Sequence, residues 1–148
     1  MPTRTSRGRQ ASAAGMLARR LALLALFEDE FRPGSAEEAL DRLAAERDVP
    51  EEVRAHAGMI VGGVSEHRAD LDQRIAAVAP LIPVPELGRV ERTILRSAIY
   101  EVLYSAATPS GETMRDAVSL ARIYAGDAAR RLVNGVLGSV SRSSGGGT

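Results

Sequence analysis

The sequence predicts an all-α protein of about seven helices arranged in two halves. Apolar residues recur at helical spacing along most of the chain, and no segment shows the convincing alternation of a half-buried strand. Breaks that contain proline or glycine separate the periodic segments at short intervals. A chain of 148 residues with 45% hydrophobic content is long enough to bury a substantial core.

The first helix is expected to follow a flexible basic arm at residues 1–11, which show no apolar periodicity. Ser12 can cap this helix, which should run to about Phe31. Arg20 falls within its apolar arc and is expected to be paired or at an interface, whereas Arg19 points toward solvent or a ligand. The apolar arc consists of Leu17, Leu21, Leu24, Phe27 and Phe31.

Two further helices follow the Pro33-Gly34 break. The capping box Ser35-Ala-Glu-Glu38 should open the second, which ends near Arg47. Asp48-Val49-Pro50 should open the third in the same way. Glycines in the third helix would allow either a close approach by another helix or a local kink. These glycines are Gly58, Gly62 and Gly63.

A proline-containing bend at 80–85 is predicted to separate an N-terminal half, about 12–79, from a C-terminal half, about 80–140. A short fourth helix ends at this bend, and its apolar residues are Leu71, Ile75 and Val78. The fifth helix, from about Glu86 to Ser105, is expected to be the central helix of the fold. Its apolar arc contains Ile94, Leu95, Ala98, Ile99 and Val102.

The opposite face of the fifth helix carries Arg89, Arg92 and Arg96, which form either a solvated face or part of an anion-binding surface. Glu91 falls within the apolar arc near the N-terminal end of the helix. A buried carboxylate without a partner is costly, so we expect a cation such as Arg20, or a partner protein, to lie opposite it.

Two more helices complete the prediction. The sixth follows Thr108-Pro-Ser-Gly111, and Ala125-Gly126-Asp127 ends it and caps the seventh. The expected buried residues of the seventh helix are Leu132, Val133, Val136, Leu137 and Val140. The Ser/Gly-rich segment 141–148 is expected to be disordered.

Charge is segregated along a chain whose formal net charge is zero. Residues 1–27 carry five arginines and no acidic residue, residues 28–72 have an acidic excess of eight, and residues 73–148 have a basic excess of three. If the two basic ends meet in the fold, they form a local basic surface. All 19 cations are arginine, whose planar guanidinium suits phosphate groups and base edges.

The composition argues against an enzyme and against a membrane protein. There is no cysteine, and the two histidines, His56 and His67, would lie about 16 Å apart on one helix, too far to share a metal. No glycine-rich phosphate loop or nucleophile motif is present. No apolar run approaches the roughly 20 residues that a bilayer requires, so we expect a cytoplasmic protein without catalytic residues, metal or cofactor.

Four blocks of the sequence resemble the NusB family of bacterial transcription antitermination factors. Their order and spacing match from about residue 12 to 140. The closing block, Val133-Asn-Gly-Val-Leu137, is the most specific. The blocks are Ala18–Phe27, Val90–Glu101, Asp116–Arg122 and Leu132–Leu137.

This resemblance implies two helical subdomains and a protein that binds ribosomal protein NusE together with the single-stranded boxA element of nascent ribosomal RNA. It implies that this complex joins the RNA polymerase elongation complex with other Nus factors and suppresses termination. Residues that the resemblance places on the RNA side are Arg19, Arg96, Arg131 and Asn134; Arg7 and Arg9 of the N-terminal arm are added as candidates. Those on the NusE side are Phe27, Glu86 and Glu91.

Two departures from the family pattern bear on RNA binding. Gly15-Met-Leu17 stands where members often have a basic run, and the arginines lie farther upstream. Leu132 stands where an aromatic residue often precedes the last block, so one platform for stacking an unpaired base is missing.

Two alternatives stay open at this point. The first is a NusB-like interaction module related to the N-terminal domain of ribosomal RNA methyltransferases, with weak or no boxA binding. The second is a structural interaction protein whose arginines only increase solubility. The sequence also leaves open whether the free protein is a monomer or a homodimer.

Overall fold

The computed structural model describes the backbone of residues 4–105 and 110–145, and the side chains of these ranges apart from 4–7, 144 and 145. These ranges contain no strand, and no helix in them is long and apolar enough to cross a membrane. The elements are α1 (Arg4–Phe31), α2 (Ala36–Arg47), α3 (Glu51–Val78), a 3-10 helix (Val84–Glu86), α4 (Arg89–Tyr104), α5 (Ser110–Ala125) and α6 (Asp127–Gly145).

The all-α prediction is confirmed, with six α-helices in the described ranges instead of about seven. The predicted third and fourth helices follow each other without a loop as α3, in which a kink at His67 (φ −108°, ψ 17°) separates two helical stretches. No proline or glycine lies between Val64 and Leu71, so nothing prevents the helix from resuming after the kink.

The chain divides into two compact units, one ending at Val61 and the other beginning at Gly62. This division lies within α3, whereas the sequence analysis placed the boundary at the bend near 80–85. Pro80 follows the end of α3 inside the second unit.

In the first unit, α1 packs against α2. Residues 4–11, expected to form a flexible arm, are helical, and Ser12 lies inside α1 rather than at its N-cap. Three of these eight residues are arginines, which are good helix formers. Core residues of the unit include Leu21, Leu40, Val53 and Ile60.

The buried face of α1 is rotated away from the predicted arc, of which only Leu21 is fully buried, and it also contains Leu23 and Leu26. Ala18, Ala22 and Ala25 are fully buried, whereas Phe31 is 57% exposed. Leu17, Leu24 and Phe27 are only partly buried. Alanine allows close packing between helices, and a pattern based on large apolar residues does not register such a face.

In the second unit, α4 packs against both α5 and α6, and α5 packs against α6. This arrangement agrees with the expected central position of α4 in its own half. Ile94, Leu95, Ala98 and Ile99 are buried as predicted. The expected core residues of α6 are also buried, except that Leu132 is partly exposed.

Turn residues determine where several helices begin and end. Gly126 has a φ of +93° between α5 and α6, a value that favours glycine, and its amide donates a hydrogen bond to the Arg122 carbonyl (3.0 Å). The predicted capping role of Ser35 is wrong because its side chain forms no cap hydrogen bond. Asp29 Oδ1 instead accepts hydrogen bonds from the amides of Gly34 (2.8 Å) and Ala36 (3.3 Å).

Candidate functional site

The arginine row predicted on α4 does not form a free cationic face. Arg96 is only 7% exposed, and its guanidinium donates two hydrogen bonds to the carboxylate of Asp72 on α3, at 2.7 and 2.9 Å. Arg92 donates to the carbonyl oxygens of Pro85 (3.2 Å) and Leu87 (3.3 Å). These two arginines therefore hold the segments before α4, and only Arg89 of the row is exposed.

The expected orientations of the paired arginines on α1 are reversed. Arg19, predicted to face solvent or a ligand, is only 6% exposed. Arg20, predicted to be paired, is partly exposed, and its buried Nε has no hydrogen-bond partner within the described part of the chain. This reversal follows from the alanine-centred burial of α1, which turns Arg19 inward.

Two aromatic residues form an exposed edge at the C-terminal end of α1. The rings of Phe27 and Phe31 meet edge to face, with centroids 5.2 Å apart. The adjoining residues Glu28, Asp29 and Glu30 are acidic. This end of α1 therefore offers an aromatic pair in an acidic setting, which suits a partner with apolar and basic side chains.

Glu86 and Glu91 lie on either side of Gly88, before and within the first turn of α4. Glu86 is exposed on the 3-10 helix. Glu91 is partly buried, and its carboxylate folds over Gly88 so closely that a Cβ there would lie only 2.3 Å from Oε2. A carboxylate in this position also interacts favourably with the N-terminal end of α4.

The start of α6 presents Arg131 and Asn134, both of which are exposed. Arg131 lines a cavity of about 390 Å³ together with Leu132 and the chain segment that follows α3. On α1, Arg9 is exposed, while the side chain of Arg7 lies outside the described residues. Arg9, Arg131 and Asn134 are therefore the RNA-side candidates whose polar groups reach the surface.

An aromatic cluster in the second unit was not predicted. The rings of His67, Tyr100 and Tyr104 stack within 26° of parallel, with centroids 4.1 to 5.9 Å apart. The Tyr100 ring lies on Gly63, where an added Cβ would be 2.0 Å from the ring. The i, i+4 spacing of the two tyrosines was a usable sequence signal, but the histidine comes from another helix.

A shared carboxylate ties this aromatic cluster to Arg74. Asp70 accepts hydrogen bonds from the Tyr104 hydroxyl and from Arg74 Nε, the latter at 2.9 Å. The bond from Tyr104, followed by that from Arg74, lowers the pKa of Asp70 below its ordinary value. The same carboxylate raises the pKa of Tyr104, because ionising the hydroxyl would remove the hydrogen bond and place two negative charges together.

Comparison with known proteins identifies similar chains. The NusB family model matches residues 16–142. The transcription antitermination protein NusB of Dehalococcoides mccartyi is 33% identical over 126 residues, which cover 85% of this chain and 88% of that protein. The corresponding protein of Roseiflexus castenholzii is 36% identical over 124 residues, covering 82% and 87%.

Among solved structures, a chain in the crystal structure of antitermination factors NusB and NusE in complex with dsRNA is similar in fold. Its TM-score is 0.81 at 25% identity, and the match covers 88% of this chain and 98% of that one.

Proposed function

This chain belongs to the NusB family, and we propose that it is a transcription antitermination factor that pairs with ribosomal protein NusE and binds boxA RNA. In this role the pair joins the RNA polymerase elongation complex with other Nus factors on nascent ribosomal RNA and suppresses termination. The chain supplies binding surfaces rather than a catalytic step or a cofactor. The family match along residues 16–142 is the observation that carries this proposal.

The exposed groups on α6 are the best candidates for direct RNA contact. The guanidinium of Arg131 can donate two parallel hydrogen bonds to a phosphate or a guanine edge, and the Asn134 amide can pair with a base edge. Arg7 and Arg9, the candidates near the N-terminus, would add phosphate contacts. The proposed RNA contacts are therefore mainly electrostatic, with Asn134 as a contributor to base recognition.

Arg19 and Arg96 act differently in this proposal. Both are largely buried, and Arg96 is already paired with Asp72. A guanidinium that is held by a carboxylate has fewer donors and less net charge to offer a phosphate. We therefore assign these two arginines to the RNA side as residues that position neighbouring groups, with Arg96 fixing α4 against α3.

The proposed NusE contacts combine aromatic and acidic groups. Phe27 lies on the exposed edge of α1 beside Phe31, and the two rings give a partner protein an apolar anchor. Glu86 and Glu91 offer carboxylates to basic side chains of the partner. This combination favours a protein partner over RNA at these residues, because carboxylates repel phosphates.

Binding of a fluorescent boxA RNA and a scrambled control, measured with and without NusE over a salt series, tests the proposal. We expect selective binding that is strongest with NusE present. Arg131→Ala should lower the affinity and reduce the slope of log K against log salt by about one. Arg115→Ala, which removes an exposed arginine of α5, is the matched control and should leave both quantities unchanged.

Two results would contradict the proposal in different ways. Equal affinity for boxA and scrambled RNA would show that the protein does not recognise the boxA sequence. A stable complex with NusE but no RNA binding would favour the alternative of a NusB-like interaction module, for which the absence of an aromatic ring at Leu132 is the supporting observation.

A further inference from the structure

Two neighbouring cavities lie between the C-terminal part of α3 and α6, with volumes of about 390 and 140 Å³. Val78 lines both cavities, and the two together are here called the α3–α6 groove. Residues 78–82 line it with the first part of α6, and residues 74–78 line it with the last part. The two chain segments that line the groove are therefore antiparallel.

The groove combines an apolar floor with arginines at both ends. Val78, Val136 and Val140 contribute to the floor, Arg131 lines one end, and Arg74 lines the other. The thirteen residues of α6 from Arg131 to Ser143 are separated by twelve helical steps, which correspond to about 18 Å along the helix. An apolar channel of this length with cationic ends fits a chain that has both phosphates and flat apolar faces, as nucleotides do.

The end at Arg74 adjoins the aromatic cluster of His67, Tyr100 and Tyr104. Tyr104 is 41% exposed, and because one face of its ring stacks on His67, a base could stack only on the other face. Tyr100 is pressed against Gly63. The carboxylate of Asp70 holds both the Tyr104 hydroxyl and Arg74 by hydrogen bonds. Because the ring is already fixed, stacking a base on it would cost little side-chain entropy.

We propose that the α3–α6 groove carries single-stranded RNA from Arg131 to Arg74 and that an unpaired base stacks on Tyr104. This inference rests on the proposed RNA-binding function and adds a site to it. Aromatic rings at the surface of RNA-binding proteins stack on unpaired bases. Leu132 offers no ring at the Arg131 end, and Tyr104 supplies one beside the other end, where Asp70 joins it to Arg74.

The local charge favours RNA over a basic peptide as the occupant. Arg74, Arg131 and Arg142 lie on the helices that form the groove, and Arg142 donates to Ser139 Oγ at 3.1 Å. Asp70 is the acidic group beside the aromatic cluster, and Arg74 neutralises it through the ion pair. Arg131 therefore supplies the main positive charge of the groove lining, and Arg74 contributes less because Asp70 already holds it.

The test uses the parent protein with NusE and a series of boxA RNAs that carry 2-aminopurine at successive positions, including flanking nucleotides. Tyr104→Leu should lower RNA affinity about tenfold, as expected for the loss of one base–aromatic stack. It should also abolish fluorescence quenching at one position of the RNA. Tyr104→Phe, which keeps the ring, should retain that quenching.

Tyr124→Leu is the matched control because Tyr124 is a tyrosine of similar exposure, 40%, at the end of α5. Its RNA binding should equal that of the parent, and circular dichroism should show that all variants are folded. The inference is overturned if Tyr104→Leu and Tyr124→Leu show the same RNA affinity and the same quenching. If Arg131→Ala still binds RNA more weakly in that case, the proposed function stays intact.

Two further outcomes would also count against the inference. Weaker NusE binding by Tyr104→Leu in the absence of RNA would identify a protein contact instead of a base platform. Failure of the parent protein to bind any RNA would overturn both this inference and the proposed RNA-binding function.

Discussion

Arg96 and Asp72 form a two-point ion pair, and the burial of this pair determines what the arginine can do. The Arg96 side chain is 9% exposed and that of Asp72 is 30% exposed. Taking charges out of water is costly, and the paired geometry offsets this cost only while both partners are present. Loss of either partner therefore acts first on folding and only then on binding.

We predict that Asp72→Ala lowers the free energy of unfolding by about 2–4 kcal/mol, between the values for exposed and buried pairs. Chemical denaturation measures this change. Arg74→Ala, which breaks the more exposed pair with Asp70, is the control and should lower the free energy of unfolding much less. Equal stability of the two variants would show that the Arg96–Asp72 pair does not hold α3 and α4 together.

The hydrogen bond between Tyr104 and Asp70 links the aromatic cluster to pH. The pKa of Asp70 is lowered, so its stabilising contribution is present above the ordinary value of 3.8 and is lost as the pH falls. The pKa of Tyr104 is raised, so its contribution is present below the ordinary value of 10.0 and is lost as the pH rises. The bond thus contributes most between these two limits.

Asp70→Ala should return the pKa of Tyr104 toward 10.0, because the acceptor and its charge are both removed. An NMR titration that follows the ring signals of Tyr104 measures the shift. The Arg74→Ala variant retains Asp70 and should keep the pKa of Tyr104 raised. A Tyr104 pKa that is the same with and without Asp70 would rule out this hydrogen bond in solution.

Among the helices, α3 shows how one glycine can set a close approach. Gly63 faces the Tyr100 ring of α4, whereas nothing lies within 4 Å of the Cβ position at Gly62. The sequence predicts a close approach or a kink for Gly58, Gly62 and Gly63 alike, because spacing alone does not show which of them faces another helix. The kink at His67 follows one turn later, where the histidine ring stacks on the tyrosines of α4.

We predict that Gly63→Ala destabilises the protein by about 1–3 kcal/mol, because the added methyl group forces the Tyr100 ring out of its position. Gly62→Ala is the matched control and should be neutral or stabilising by up to about 1 kcal/mol, since alanine is the better helix former. Thermal and denaturant unfolding give both values. A Gly63→Ala variant as stable as Gly62→Ala would contradict the packing of Tyr100 on Gly63.

The burial of α1 has a direct bearing on the proposed partner site. Because α1 buries a different face, Leu24, Phe27 and Phe31 are left partly or largely exposed. These side chains give α1 a second apolar side, which a partner protein could cover. This arrangement supports the assignment of Phe27 to a protein contact.

For the chain as a whole, the zero net charge conceals basic ends and an acidic middle. The acidic residues near the end of α1 and on α2 lie in the first unit, and the arginines of the α3–α6 groove lie in the second. Acidic and basic residues occur in both units, so charge is segregated along the chain more strongly than between the units.

Local information in the amino-acid sequence was sufficient to predict the all-α class, most helix boundaries, most core residues of α4 and α6, and the family. Helical periodicity, the Gly126 turn and the Val133–Leu137 block are properties of neighbouring residues, so they can be recognised without knowing the fold. Long-range packing decided the remaining features. The inward orientation of Arg19 depends on which face α1 buries. Two other features join residues on different helices: the pairing of Arg96 with Asp72, and the contacts of Tyr104 with His67 and Asp70. These are outcomes of tertiary packing, which spacing within one helix does not specify.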